Sequence, residues 1–303
     1  SASLKVRNAA AMLDGLIQNG FKSEDLRVTA LGALKEVDPE TFNGAVNWIQ
    51  SYGTSRLKTE AIRLSAAANP EKALSELADL LVNGTLRDQQ LAFAVLSTVP
   101  GREADGLLKE WMEKLISGQV PDGLRLDISS AAGGRTSPEL LELSKAYAAG
   151  RPKTQLGNYL DARYGGDPVN GKKIFEERLE LSCLRCHAVG GLGGNAGPDL
   201  AGIGARVDRD YLIESILFPN NQMADGFQNI VVSASGFGEV AGILKSETDS
   251  TLSIDSPEEG LLEIPKANVL ERIDGLSAMP EEFRQILSQQ DLRDLVAYLA
   301  ELK

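Results

Sequence analysis

The first half of the chain places apolar residues at the three- and four-residue spacing of amphipathic helices. Short helical segments follow one another and are separated by pairs of residues that stop one helix or start the next. These breaks lie at Asn19-Gly20, Asp38-Pro39, Asn69-Pro70, Asn83-Gly84, Pro100-Gly101 and Pro121-Asp122-Gly123. The pattern predicts a domain of helices over residues 1–152.

A degenerate repeat runs through this helical half. A leucine followed by a basic residue opens a helix rich in small residues at Leu26-Arg27, Leu57-Lys58, Leu86-Arg87 and Leu124-Arg125. The offsets of 31, 29 and 38 residues are typical of stacked helix pairs and favour a HEAT-like α-solenoid. An irregular helical domain is the alternative.

The hydrophobic pattern changes in the second half. Glycine and proline residues mark a linker at residues 153–166, and a second domain is expected over residues 167–303. Within that domain, residues 226–274 contain short β-prone runs that predict a small inserted antiparallel sheet. These runs are FQNIVVSA, EVAGILK, STLSID and GLLEIP. A capping box at Ser288 and Asp291 then opens a final helix. The predicted fold class is therefore mainly α.

Composition and charge narrow the possible partners. Apolar residues make up 43% of the chain, as in globular proteins, and no run approaches the roughly 20 apolar residues of a membrane span. Residues 1–152 hold 17 basic and 19 acidic side chains, whereas residues 153–303 hold 14 and 24. An acidic surface repels phosphate backbones and anionic lipid, so we expect neither nucleic-acid nor membrane-surface binding. A protein partner with a basic patch fits better.

The segment Cys183-Leu184-Arg185-Cys186-His187 carries the candidate chemistry. C-x-x-C-H is the attachment pattern of c-type haem, and it predicts one covalently bound haem. Two residues between the thiols allow both sulfurs to reach one edge of a porphyrin, and the adjacent histidine can then meet the iron. The motif predicts Cys183, Cys186 and His187 as haem-binding residues.

The two cysteines allow three other interpretations. A zinc site needs about four protein ligands, but the chain has only two cysteines and one histidine. A thioredoxin-like pair follows a strand, whereas the pattern before Cys183 is helical, and this reading leaves His187 unexplained. A structural disulfide would leave the surrounding residues without a role.

The second half resembles the monohaem cytochrome c domain of Pirellula/Verrucomicrobium type. The resemblance covers about residues 167–303 and is carried by several motifs in one order. These are GDPVNGKKIF (166–175), CLRCHAVGGLGGNAGPDLAGIGARVDRDYLIESILFPN (183–220), DGF (225–227), SAMPEEF (277–283) and LRDLVAYL (292–299). It implies a class I-like cytochrome c domain that carries the small inserted sheet.

The resemblance also implies roles for individual residues. Gly171 and Phe175 on the first helix should cross the last helix at Tyr298. The carbonyl of Pro198 should accept the second imidazole N–H, which fixes the ring. Arg206 stands where the family has a base that can pair with a haem propionate, and a solvated arginine is equally compatible with the sequence.

A sixth iron ligand must come from something other than a second histidine. Methionine sulfur is the usual remaining ligand, and the chain has four methionines. Met12 and Met112 lie at apolar helix positions and read most simply as core. Met279, in a loop shortly before the C-terminal helix, resembles the cytochrome c pattern better than Met223 does, so Met279 is the expected ligand.

The expected function is single-electron transfer rather than catalysis, since the chain has no P-loop, nucleophile elbow or zinc-protease motif. The resemblance implies a redox partner, for which a β-propeller sugar dehydrogenase is the candidate, and a periplasmic or exported location. Two alternatives stay open: a five-coordinate haem sensor or peroxidase-like protein, and a helical-repeat scaffold with an accessory haem. The start of the chain lacks a signal peptide, so a mature form or a fragment is expected.

Overall fold

The computed structural model of the protein describes residues 2–303 and is mainly helical. The chain divides into two compact units, of which the first ends at Arg151 and the second runs from Pro152 to Lys303. The segment expected as a linker, residues 153–166, therefore lies inside the second unit.

Helices α1 to α9 make up the first unit. They are α1 (Ala2–Gln18), α2 (Glu24–Val37), α3 (Pro39–Tyr52), α4 (Ser55–Ser65), α5 (Pro70–Asn83), α6 (Leu86–Leu96), α7 (Arg102–Ile116), α8 (Arg125–Gly133) and α9 (Pro138–Gly150). Helices α2 to α6 begin at side-chain caps, because each capping oxygen accepts a backbone N–H two or three residues further on. The capping residues are Ser23, Asp38, Thr54, Asn69 and Thr85.

The helices of this unit pack in a regular order. Each of the pairs α1–α2, α3–α4, α5–α6 and α7–α8 is in contact. The even-numbered helices also contact one another in sequence order from α2 to α8, and α7 contacts both α5 and α9. Two apolar clusters fill the space between them, one around Leu31 and Ile49 and the other around Phe93 and Met112.

Two helices distant in sequence cross at the centre of the second unit. They are α10 (Pro168–Glu177) and α15 (Gln289–Glu301). A Cβ atom on Gly171 would lie 1.9 Å from the carbonyl oxygen of Asp294, so only glycine allows the two backbones to approach this closely. Beside the crossing, the rings of Phe175 and Tyr298 lie 5.6 Å apart.

The segment between α9 and α10 packs against this helical core. Ala162 is fully buried, and Asp161 is only 3% exposed. The ring of Tyr159 meets Phe218 edge-on at a centroid distance of 6.1 Å. The part of this segment from Tyr159 to Ala162 therefore packs against the helical core.

Short elements connect α10 to the sheet and the sheet to α15. They are α11 (Cys183–Cys186), the two-stranded hairpin of β1 (Ala188–Val189) and β2 (Leu192–Gly193), α12 (Ile203–Arg206), α13 (Arg209–Leu217) and, after the sheet, α14 (Phe283–Ile286). Buried apolar side chains from α10, α13, α14 and α15 form one core, which includes Ile174, Ile213, Ile216, Phe283, Leu292 and Val296.

A five-stranded antiparallel sheet is inserted between α13 and α14. Its strands are β3 (Gln228–Ala234), β4 (Gly238–Glu247), β5 (Thr251–Ser256), β6 (Gly260–Pro265) and β7 (Val269–Asp274), in the order β6-β5-β4-β3-β7. The predicted runs match β3 to β6, but β7 is not among them. One face carries its own apolar core, formed by residues such as Val232, Val240, Leu252 and Ile254. Ile230 of β3 pairs with Asp274 of β7, so the insertion enters and leaves at adjacent points.

Candidate haem site

A single helical turn carries both thiols of the C-x-x-C-H segment. Helix α11 consists of Cys183–Cys186, and it begins after Ser182, whose φ of 47° puts it in the left-handed region. His187 leaves the helix with an extended backbone, while its N–H still donates to the carbonyl of Cys183 at 2.9 Å. The two sulfurs and the imidazole therefore come from one rigid turn and the residue that follows it.

The ring of His187 is fixed by the loop that follows the motif. Its Nδ1 lies 2.9 Å from the carbonyl oxygen of Pro198. A carbonyl only accepts hydrogen bonds, so Nδ1 carries the hydrogen and Nε2 keeps its lone pair for a metal. A Cβ atom on Gly197 would lie 2.7 Å from the Cε1 atom of the ring, and glycine is therefore needed where the loop backbone packs against the imidazole.

The loop itself is tied back to the motif by backbone hydrogen bonds. The N–H of Gly194 donates to the carbonyl of Leu184, and that of Gly197 donates to the carbonyl of Cys186, both at 2.8 Å. These bonds close the chain around the cysteine turn, and they set the position of the Pro198 carbonyl relative to the ring.

All of the predicted site residues line one cavity of about 350 Å³, a volume typical of ligand pockets. They are Cys183, Cys186, His187, Pro198, Arg206 and Met279, and Met223 joins them. The remaining wall is largely apolar and includes Phe175, Leu181, Leu212, Ile216, Leu295 and Leu299. The donor set fits a c-type haem, since two thiols, a fixed imidazole and a thioether face one apolar space.

Burial raises the pKa of the Cys183 thiol to about 11. The group is therefore a neutral thiol at physiological pH, with little of the thiolate that redox-active cysteines use. In the described residues 2–303, no group of three or more His, Cys, Asp or Glu side chains is placed to hold a metal ion. The protonated thiol fits a thioether attachment better than a thioredoxin-like pair, whose attacking cysteine is a thiolate.

The four methionines have different surroundings. Met279 is half-buried and packs against the helical core of the second unit, and its N–H donates to the Ser277 hydroxyl at 3.2 Å. Met223 is also half-buried, and it lies between this cavity and a more polar cleft beside the sheet. In the first unit, Met112 is fully buried as expected, but the core assignment of Met12 is wrong, because that side chain is 72% exposed.

Arg206 is an exposed side chain at the edge of the cavity. Its Nη2 donates to the carbonyl oxygens of Asp199 and Ala201, each at 3.1 Å. The guanidinium thus holds the loop after Pro198. These two bonds use only part of its five N–H donors.

One residue of this region has no role in the sequence interpretation. The side chain of Asn220 bonds to both ends of the segment that carries Met279, at Ser277 and Glu281. These contacts span more than fifty residues of chain, and no local pattern in the sequence indicates them.

Comparison with known proteins supports the same chemistry. Residues 168–246 match the family model described as Cytochrome c. The match begins at α10, includes the C-x-x-C-H turn and ends in strand β4, so it spans less than half of the chain. No curated protein matches the sequence. The match supports a cytochrome c domain within the second unit, and that family implies covalently bound haem c.

Proposed function

We propose that the protein is a c-type cytochrome that carries one haem and transfers single electrons. The observation that carries the proposal is the convergence of Cys183, Cys186, His187 and Met279 on one largely apolar cavity. Cys183 and Cys186 would attach the haem through thioethers, and His187 would bind the iron through Nε2. When bound, haem supplies one-electron redox chemistry.

The residues around the motif would hold the ligands still. The Pro198 carbonyl fixes the tautomer and the orientation of the His187 ring, which also makes Nε2 a stronger donor. The apolar walls exclude water and lower the local dielectric constant, which favours the less charged oxidation state of a buried metal centre. Arg206, at the cavity edge, is the side chain available to pair with a propionate.

Met279 is our proposed sixth ligand. It packs against the helical core that lines the cavity, whereas Met223 is not part of that packing. A methionine ligand raises the reduction potential and leaves the iron without an open position. It therefore favours electron transfer over gas sensing or peroxide chemistry.

We further propose that the chain is a periplasmic or exported electron carrier and not itself an enzyme. The acidic second half, with 24 acidic and 14 basic residues, would attract a redox partner with a basic surface, for which a β-propeller sugar dehydrogenase is the candidate. In the described part of the chain, no helix is both long and apolar enough to cross a bilayer. The ordered stacking of helix pairs in the first unit supports HEAT-like repeats of the kind that bind protein partners.

Optical spectra of the oxidised and reduced protein test this function. We expect a low-spin c-type spectrum with a weak sulfur-to-iron band in the oxidised wild type. The band should disappear in Met279→Ala and persist in Met223→Ala, and the exposed Met12 provides a control as Met12→Ala. If only Met223→Ala loses the band, the ligand assignment is wrong but electron transfer stands. A high-spin wild type that binds carbon monoxide would support a sensor or peroxidase instead, and absence of haem would refute the proposal.

A further inference from the structure

The two chain segments that connect the sheet to the helical core are cross-linked by side-chain amides. The first segment, residues 218–227, contains Met223, and the second, residues 275–281, contains Met279. At the sheet end, Asn229 of β3 donates from Nδ2 to the carbonyl of Leu276 in the second segment at 2.7 Å. Asn220 makes the corresponding contacts further from the sheet, next to Met279.

The Asn220 amide bonds to both ends of a five-residue segment. Its Oδ1 accepts the N–H of Ser277 at 2.7 Å, and its Nδ2 donates to Oε1 of Glu281 at 2.6 Å. Met279 is the middle residue of the segment that these two bonds enclose. One half-buried side chain therefore fixes the spacing between the start and the end of the methionine loop.

Asn220 is itself held by the end of α13. Phe218 is 8% exposed, and its carbonyl accepts the N–H of Asn221 at 2.9 Å, which closes the turn that contains Asn220. Arg284 lies over the Phe218 ring at 4.9 Å and pairs with Glu281 at 3.3 Å. Through the Asn220 amide, the methionine loop is therefore attached to the buried end of α13.

Apart from the packing of Met279 on the helical core, the loop has few other polar constraints. Ala278, Pro280 and Glu281 are exposed, and inside the segment the Met279 N–H bonds only to the neighbouring Ser277 hydroxyl. A hydrogen bond to a carboxylate is among the stronger kinds, but the Glu281 side of this pair is exposed, so its loss changes a local equilibrium by up to about tenfold. Removal of the amide should therefore let the loop open while the helical core stays folded.

We propose that Asn220 is a positioning residue that keeps the Met279 sulfur at the iron. The proposal rests on the haem function above, and it adds that the occupancy of the sixth position depends on the amide–carboxylate pair of Asn220 and Glu281. Loss of this pair increases the fraction of molecules with an open sixth position, and added imidazole then binds more tightly in proportion to that fraction.

The test is a set of matched variants in the haem-loaded protein. Asn220→Asp keeps the acceptor for Ser277 but removes the donor and sets two carboxylates against each other. Glu281→Gln in the same chain restores a donor, so the double variant exchanges the two groups. Asn221→Asp is the control, because Asn221 Nδ2 donates to Oε1 of Glu214 at 2.8 Å without contact with the methionine loop.

Imidazole titration of the oxidised protein and the sulfur-to-iron band are the readouts. Asn220→Asp should bind imidazole about tenfold more tightly and show a weaker band. The double variant, Glu281→Gln alone and Asn221→Asp should each stay within about threefold of wild type. Glu281→Ala, which removes the same bond from the exposed side, should shift the affinity in the direction of Asn220→Asp, and it serves if that variant does not fold.

Several results would overturn the proposal. Wild-type affinity in Asn220→Asp or in Glu281→Ala would show that the pair does not hold the ligand. Lack of rescue in the double variant would have the same meaning. Covalent haem without a sulfur-to-iron band in the wild type would refute the positioning role and leave haem attachment intact, whereas absence of covalent haem would refute the proposed function itself.

Discussion

The crossing of α10 and α15 depends on a single missing side chain, which makes Gly171→Ala a demanding test of the fold. The added Cβ would lie 1.9 Å from the Asp294 carbonyl oxygen and 2.9 Å from the Tyr298 Cβ atom. A Cβ atom essentially never lies within 3.0 Å of a non-bonded heavy atom, so the two helices must separate by about 1 Å. The obstacle is backbone, which cannot rotate away.

The expected cost follows from opposing terms. Overpacking of a close interface destabilises by about 1–3 kcal/mol, and here the separation also disturbs the contact of Phe175 with Tyr298. Replacement of a helical glycine by alanine, taken alone, stabilises the helix by at most about 1 kcal/mol. We therefore expect a net loss of about 2 kcal/mol, which lowers the melting temperature of the second unit by about 4–8 °C.

Two signals separate the units in this assay. Both tryptophans, Trp48 and Trp111, lie in the first unit, so their fluorescence reports its unfolding, while haem absorbance reports the second. Gly106→Ala in α7 is the control, because a Cβ there meets nothing within 4 Å and should stabilise by about 0.5–1 kcal/mol. A haem-detected transition in Gly171→Ala that is unchanged or higher than in wild type would refute the close-approach argument.

Two further predictions concern the final helix and the imidazole. Burial alone would raise the pKa of Asp291, but hydrogen bonds from Ser288 and Arg178 outweigh it and hold that pKa below the usual range of an aspartate. This stabilisation is present at neutral pH and is lost as the pH falls through the lowered pKa. Asp291→Asn should therefore melt about 2–4 °C lower than wild type at pH 7, and the difference in thermal scans should shrink below about pH 4; a constant difference would count against the argument. Gly197→Ala should displace the His187 ring from the Pro198 carbonyl and weaken axial ligation, seen as a high-spin component in the oxidised spectrum. A wild-type spectrum in Gly197→Ala would show that the loop backbone can move far enough to accommodate the added Cβ.

The helices of the first unit were predictable because their signals are local. A capping residue such as Thr85 and its partner Asp88 lie within one turn, so the residues that start α6 are visible in the sequence itself. The C-x-x-C-H turn is equally local, since the sequence spacing sets which groups share one helical turn. For the same reason, strands β3 to β6 coincide with the predicted runs.

The features that sequence reasoning missed depend on distant contacts. Strand β7 has a charged, weakly alternating sequence, and it is a strand because it pairs with β3, which lies about forty residues earlier. The segment 153–166 has no periodic pattern, yet Ala162 is buried by the helical core. Asn220 bonds to Ser277 and Glu281, from which it is separated in sequence by the whole inserted sheet. Nothing near these residues in the sequence indicates their partners.

The adjacent ends of the inserted sheet have a consequence for the entropy of the chain. The backbone carbonyl of Asn229 accepts the N–H of Gly275 at 2.7 Å, so the two ends of the folded sheet meet where it joins the helical core. An unfolded insertion would be a loop of roughly 45 residues, and each doubling of loop length costs about 0.6 kcal/mol. Once the sheet has formed, α13 and α14 are joined by a path of about 20 residues instead of about 65, which lowers the closure cost by about 1 kcal/mol. The folded insertion thereby lowers the conformational-entropy cost of bringing α10 and α15 into contact.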